Sequence, residues 1–230
     1  MIRFDLESIA SRFDAVFIDA NVFPIGLLPQ QVRGLRHPQE LSSYLDQLER
    51  ARERFSDMRS GVSNSSVYKS AVYNSFYITS LVKQELETAL GMVSGSITHF
   101  GHMVKSEGVH ERGRYAPQII RLTRLAAEFS HLVQEFPVYP LDGVPIPRVP
   151  GPASEADASL IAALFHYATA HHDKTAATVS YDRDVVKAYR FIARQSSIPE
   201  NVLNRTRVVW YAPREKTVLE LTVEEAAKIG

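Results

Sequence analysis

The chain contains no cysteine, so disulfides, thiolate metal ligands and cysteine nucleophiles are excluded. It also carries no net charge, since 26 Lys and Arg residues balance 26 Asp and Glu residues. Binding of nucleic acid would therefore depend on a local basic surface and not on an overall field. No apolar run approaches the roughly 18 residues that cross a membrane, and the N-terminus is too charged for a signal peptide. We expect a cytoplasmic protein with no membrane association.

Short apolar runs alternate with helical patterns along the chain. The runs typical of buried strands are 15–18, 76–78, 176–180 and 208–212. Helical spacing recurs over 39–58, 117–136, 155–170 and 184–195. This alternation predicts a three-layer α/β/α fold with a mainly parallel central sheet. We expect a single domain over residues 1–230 with a helical insertion around 91–150.

A proline-rich stretch precedes the helix predicted at 155–170. Residues 137–152 hold six prolines in sixteen positions, which favours a stiff, extended loop. We interpret it as a rim or lid that leads into that helix, whose N-cap is Ser154. Residues 60–75 are Ser-rich, and neither they nor 91–112 give a clear pattern.

Acidic residues occur where strand ends and helices could carry them into one pocket. They are Asp19, Glu85, Asp157, Asp182 and Asp184. Asp19 ends the first apolar strand, and Asp182 follows the strand at 176–180, so the two converge if these strands are neighbours. Carboxylates gathered in this way repel one another. A hard divalent cation such as Mg²⁺ or Mn²⁺ offsets the repulsion and prefers oxygen ligands.

Each acid also has an ordinary explanation. Asp19 could form an Asx turn with its neighbours, Glu85 could be a solvated helix residue, and Asp157 could interact with the dipole of the helix it begins. Asp182 and Asp184 could cap the helix that follows them. The order and joint pattern of the acids favour a shared site over these separate roles.

Four motifs make the chain resemble the PIN-domain nucleases. They read FIDAN, ITSLVKQELE, EADASLIAAL and TVSYDRDVV, occur in the family's order and span residues 15 to about 212. The sequence departs from the family in three ways: its gaps between the motifs are longer than in small toxin-type members, Ser180 replaces the commoner Thr, and the proline-rich stretch is not expected.

The resemblance implies metal-dependent hydrolysis of phosphodiester bonds, usually of RNA. Four catalytic acids would hold one or two Mg²⁺ or Mn²⁺ ions that activate a water and steady the leaving oxygen: Asp19, Glu85, Asp157 and Asp182. Asp184 would be an additional metal ligand, and Asn21 and Ser180 would orient carboxylates or waters. Lys83 and Arg183 would contact the phosphate backbone.

Further basic and aromatic residues extend this interpretation. Additional phosphate contacts could come from Arg112, Arg114, Arg121 and Arg124, which could equally form a solvated helix face. Four aromatic side chains could stack on unpaired bases, although core packing is favoured for Phe76: Tyr73, Phe76, Tyr77 and Tyr181.

Other functions remain open at this point. A catalytically silent PIN-like module could bind RNA or a protein. A phosphatase with Asp19 as nucleophile is disfavoured, because Asn21 stands where such enzymes carry a second aspartate. His171, His172 and Asp173 form a rival metal cluster, although histidines at a helix end also suit the helix dipole. We further expect a homodimer or an antitoxin-type protein partner as alternatives suggested by the resemblance.

Overall fold

The computed structural model describes residues 6–23, 45–46, 49–50, 52, 76–106, 109–195, 198–212 and 216–229. The helix predicted at 39–58 falls mostly outside these ranges, but its described residues are helical: Leu45, Asp46, Glu49, Arg50 and Arg52. The Ser-rich segment 60–75 lies outside the described residues. The chain divides into two compact units, 1–22 with 63–83 and 137–230, and 23–62 with 84–136. A single domain with an insertion stays a prediction.

The first unit contains the sheet and most of the short helices. Its strands are β1 (Ala15–Ile18), β2 (Phe76–Tyr77), β3 (Ala176–Ser180), β4 (Thr206–Ala212) and β5 (Thr217–Leu221). Its helices are α1 (Leu6–Ala10), α4 (Glu155–Ala170), α5 (Arg183–Gln195), α6 (Glu200–Leu203) and α7 (Val223–Lys228). Helix α2 (Ser80–Ser106) begins in this unit, and most of it, with α3 (Val109–Glu135), belongs to the second.

The described strands form one mainly parallel sheet in the order β2-β1-β3-β4-β5. The β1–β2, β1–β3 and β3–β4 pairs are parallel, and only β4–β5 is antiparallel. Every residue of β1 and β3 is buried, as expected for central strands covered on both faces. The predicted α/β class with a mainly parallel sheet is therefore confirmed.

Several element boundaries differ from the sequence prediction. Helix α3 begins at Val109 and continues through Pro117, although an interior proline loses one backbone hydrogen bond and favours the first helical turn instead. Helix α2 runs through most of the stretch at 91–112 that gave no clear pattern. Strand β4 begins two residues earlier than predicted, at Thr206, whose buried hydroxyl pairs with Tyr189 of α5.

Strand β5 was absent from the prediction. Most of its residues are exposed or half-buried, so it has no apolar run that would mark a buried strand. Its pairing with β4 creates it, after a turn in which Lys216 has a φ of 53°. The proline-rich stretch has no regular structure beyond the bridge between Ile78 and Val138, in agreement with an extended loop; its role as a lid stays a prediction.

Arg205 ties the far ends of two helices together at the opposite side of the sheet from the aspartates. Its guanidinium donates to the carbonyl oxygens of Ala168 in the last turn of α4 and of His171 and Lys174 in the segment that follows, and its Nε donates to the carbonyl oxygen of Asn201 in α6. The Ala168 carbonyl is among the last four of its helix, which lack a partner within the helix. Among the residues described, no helix combines the length and apolar character needed to cross a membrane.

Candidate functional site

The strand order reverses between β1 and β3. From β1 the chain moves to β2 on one side, whereas from β3 it moves to β4 on the other. Such a reversal is a topological switch point, and ligands of open α/β sheets bind there, beyond the carboxyl ends of the strands. Asp19 directly follows β1, and Asp182 lies two residues beyond β3. The structure therefore places both aspartates at the switch point, as neighbouring parallel strands predicted.

The Ser180 side chain connects the ends of β1 and β3. Its hydroxyl donates to Asp19 Oδ2 and accepts from the Asp182 backbone N–H at 2.8 Å. It also lies 3.2 Å from Asn21 Nδ2, which donates to it. Ser180 is completely buried, and Asp19 is only 4% exposed. The predicted orienting role of Ser180 and Asn21 thus has a specific geometry, in which both side chains fix the loops that carry the aspartates.

Asn21 makes a second contact that closes this network. Its Oδ1 accepts from the backbone N–H of Tyr181 at 3.0 Å. Asn21 lies in a short 3₁₀ helix, Ala20–Val22, that follows β1. Since one amide side chain binds both Ser180 and Tyr181, the loop after β1 and the loop after β3 are held in one arrangement.

Asp157 is the third residue of α4 and takes part in the N-terminal cap of this helix. Its Oδ2 accepts from the Ser154 backbone N–H at 2.7 Å, while Ser154 Oγ accepts from the Asp157 N–H at 3.1 Å. This reciprocal pair is a capping box, so the ordinary explanation of Asp157 as a helix-end charge describes a real contact. Asp157 is nevertheless 7% exposed, an unusual burial for a charged capping residue.

Burial raises the pKa of Asp157, and the charges of Asp182 and Asp184 raise it further, while the two bonds with Ser154 lower it. The net direction is upward. The charges of Asp182 and Asp184 therefore act on Asp157, and all three residues belong to the same unit of the chain. A nearby cation would instead lower the pKa of Asp157, because it favours the ionised carboxylate.

Asp182 immediately precedes α5, and Asp184 is the second residue of this helix. The Asp184 N–H donates to Asp182 Oδ1 at 2.9 Å, so Asp182 caps the helix. Lys187 Nζ lies 2.5 Å from Asp184 Oδ1. The sequence analysis missed Lys187, although its position three residues after Asp184 in a predicted helix is the spacing at which such pairs form. The Asp184 carboxylate is thus already paired with the ammonium group of Lys187.

The remaining predicted site residues are less well defined by contacts. Glu85 lies exposed in the second turn of α2, which Thr79 caps by accepting from the Val82 N–H. Glu85 belongs to the second unit and the aspartates to the first, so its membership of the site stays a prediction. Lys83 and Arg183 are half-buried, and their contact with phosphate is likewise a prediction.

Two of the other arginines have structural partners. Arg121 binds Glu49 through two nitrogens, at 2.8 and 2.5 Å, and Asp46 at 2.7 Å. Arg124 Nη2 also reaches Glu49, at 3.2 Å. These ion pairs raise the pKa of Arg121 and favour a structural role over phosphate contact. The side chains of Arg112 and Arg114 lie outside the described residues.

The rival histidine cluster is exposed and lies at the end of α4. His171 is the C-cap of this helix, and its ring packs on Tyr167 with the centroids 4.5 Å apart. Within the ranges that the structure describes, no three His, Asp or Glu side chains are grouped closely enough to hold a metal ion. This holds for the histidines and also for the aspartates, whose oxygens suit a hard cation but do not form a ready-made set of ligands.

Comparison with known proteins adds no identification. No protein-family model, no curated protein and no solved structure matches the chain.

Proposed function

We propose that the chain is a metal-dependent nuclease with a PIN-like fold, which hydrolyses phosphodiester bonds of RNA. The observation that carries the proposal is the position of Asp19 and Asp182 at the switch point between β1 and β3, joined through the buried Ser180 hydroxyl. Ligands of open parallel sheets bind in the crevice beyond the carboxyl ends of the strands, which is the edge that carries these two residues.

The donor chemistry at this place fits a hard divalent cation. Asp19, Asp157 and Asp182 would hold Mg²⁺ or Mn²⁺, with Asp184 as a further candidate ligand. Burial is the main cause of the raised pKa of Asp157, and the charges of Asp182 and Asp184 add to it; a bound cation would offset this added repulsion. Since no set of three ligands is preformed among the described side chains, binding would require the carboxylates to reorient.

The protein's own residues would orient the site and bind the substrate. A bound ion would supply an activated water and charge stabilisation for the leaving oxygen. Ser180 and Asn21 hold Asp19 and the loop that carries Asp182 by the hydrogen bonds described above. Lys83 and Arg183 would bind the phosphate backbone as point charges or paired donors. A cytoplasmic location, a homodimer and an antitoxin-type partner stay predictions.

A second candidate is a catalytically silent PIN-like module that binds RNA or a protein. Two observations favour it. Asp157 is engaged in its capping box and Asp184 is paired with Lys187, and no described group of three side chains could hold an ion. In this case the aspartates would serve only the helix ends and the loop between β3 and α5.

Metal binding and cleavage separate the two candidates. Calorimetric titration with Mn²⁺ should give saturable binding that strengthens as pH rises through the pKa of Asp157, since the metal binds the ionised form. Labelled single-stranded and structured RNAs should be cleaved only when Mg²⁺ or Mn²⁺ is present. Asp19→Asn and Asp182→Asn should abolish both signals while circular dichroism shows a folded chain.

The capping role of Asp157 requires a matched control. Asp157→Asn removes a carboxylate and also weakens the start of α4, so a loss of activity in this variant has two explanations. Ser154→Ala weakens the same cap but keeps the carboxylate. Cleavage that survives Ser154→Ala and disappears in Asp157→Asn supports the metal site. Absence of metal binding in the parent chain would refute the nuclease and favour the module.

A further inference from the structure

Two tyrosines lie beside the aspartates at the carboxyl edge of the sheet. Tyr181 is the residue between Ser180 and Asp182, and Tyr211 is the second-last residue of β4. Their ring centroids are 5.8 Å apart, with an interplanar angle of 71°. This edge-to-face geometry is one that aromatic pairs prefer, so the two rings form one continuous aromatic surface.

The two tyrosines are partly accessible although their neighbours are buried. Ser180 and its register partner Trp210 are buried, and so is Ala212. Tyr211 lies between Trp210 and Ala212 in β4, and Tyr181 follows the last residue of β3. Both tyrosines are half-buried, so the pair reaches solvent in part.

The pair is also fixed relative to the aspartates. The backbone N–H of Tyr181 is bound by Asn21, which in turn binds Ser180, the partner of Asp19. Asp182 is the next residue in the chain, and consecutive Cα atoms are about 3.8 Å apart. Tyr181 is therefore fixed directly before Asp182 by the hydrogen bonds that hold the loops carrying Asp19 and Asp182.

We propose that Tyr181 and Tyr211 form a stacking platform for an unpaired nucleobase of the substrate strand. The inference rests on the proposed nuclease function for its ligand class and deepens it, because it selects single-stranded over duplex substrate. Aromatic side chains stack on bases of any sequence, whereas a base inside a duplex presents no free face. A base on this platform would bring its adjoining phosphate next to Asp182.

The first test measures binding without chemistry. The probe is a fluorescein-labelled single strand of eight nucleotides with uncharged methylphosphonate linkages, titrated without divalent metal and followed by anisotropy. The matched probe has the same linkages but lacks bases. The parent chain should bind the strand with bases about tenfold more tightly than the abasic strand. Equal binding of the two strands would overturn the platform, whatever the cleavage assay gives.

Variants locate the effect at the two rings. Tyr211→Leu should lose the preference for bases, and Tyr211→Phe, which keeps the ring, should retain it. Tyr181→Leu is a second, independent variant in case Tyr211→Leu fails to fold, which circular dichroism would show. A base preference that is unchanged in folded Tyr211→Leu and Tyr181→Leu would overturn the platform and leave the tyrosines as a packing pair only.

A second readout separates this inference from the nuclease itself. With natural single-stranded RNA and Mn²⁺, Tyr211→Leu should raise KM about tenfold and change kcat little, because the ring binds the base and does not touch the reacting phosphate. Unchanged KM in an active enzyme would overturn the platform alone. Base-dependent binding in a chain that cleaves nothing would support the platform and refute the nuclease.

Discussion

Deleting the Ser180 hydroxyl is the sharpest test of how the strand ends are joined. Ser180→Ala removes the donor to Asp19 and the acceptor for both the Asp182 N–H and the Asn21 amide, at a completely buried position. A hydrogen bond to a charged group contributes about 1.5–3 kcal/mol and a neutral one about 1 kcal/mol. We therefore expect the free energy of unfolding to fall by about 4 kcal/mol.

Ser159 provides a matched control. It is also completely buried, but its hydroxyl contacts only neutral groups, Thr79 Oγ1 at 2.6 Å and the carbonyl oxygen of Ala156 at 2.7 Å. Ser159→Ala should cost about 2 kcal/mol from the loss of these two bonds. The excess cost at Ser180, also about 2 kcal/mol, then measures the interaction with the Asp19 carboxylate together with the neutral bond from Asn21.

Urea unfolding without divalent metal gives both values. The chain has a single tryptophan, Trp210, which is 6% exposed and pairs in register with Ser180, so its fluorescence reports on unfolding of the sheet. Comparison requires equal m-values, which indicate equal surface exposure on unfolding. Losses at Ser180 and Ser159 that agree within about 0.5 kcal/mol would refute the reasoning, since the charge of Asp19 would then add nothing.

Three further outcomes follow from the contacts. Ser154→Ala should lower the free energy of unfolding by about 1 kcal/mol through loss of its cap and leave Mn²⁺ affinity, measured by calorimetry, unchanged. Arg205→Met should cost about 2–3 kcal/mol in thermal unfolding because several carbonyls lose their donor, and Arg205→Lys should recover less than half, since an ammonium lacks the planar fork. Burial raises the pKa of Asp14, but hydrogen bonds from Thr175 and Lys174 outweigh this effect and lower the pKa below its ordinary value of 3.8. The stability that results is present above pH 3.8 and is lost as the pH falls through the pKa of the folded state. Urea unfolding should therefore show Asp14→Asn about 1 kcal/mol less stable than the parent near neutral pH, after screening at this partly exposed group, with the two converging in acid; a constant difference across pH would contradict this.

Local pattern predicted the central strands and the helix ends well. The buried run at 15–18 is β1, the run at 176–180 is β3, and Ser154 caps a helix through a capping box. These features depend on neighbours in sequence, because burial on both faces gives a continuous apolar run and a capping hydroxyl bonds an N–H three residues ahead.

Features that depend on contacts between residues far apart in the sequence could not be predicted from local pattern. Strand β5 exists because β4 pairs with it, and the continuation of α3 through Pro117 opposes the local signal. The sequence indicated that Asp19 and Asp182 would meet only if β1 and β3 were neighbours. It gave no sign that Asp157 would be buried, or that its pKa would be raised by this burial and by the charges of Asp182 and Asp184.

The amino-acid sequence by itself determined the order of the central strands and of the longer helices around them, the Ser154 cap and the set of acidic residues, because these follow from periodicity and from contacts a few residues apart. The tertiary structure alone decided that β1 lies beside β3, that Ser180 joins Asp19 to Asp182, and that Tyr181 meets Tyr211. Strand order is set by which distant surfaces pack together, and no local spacing encodes that choice.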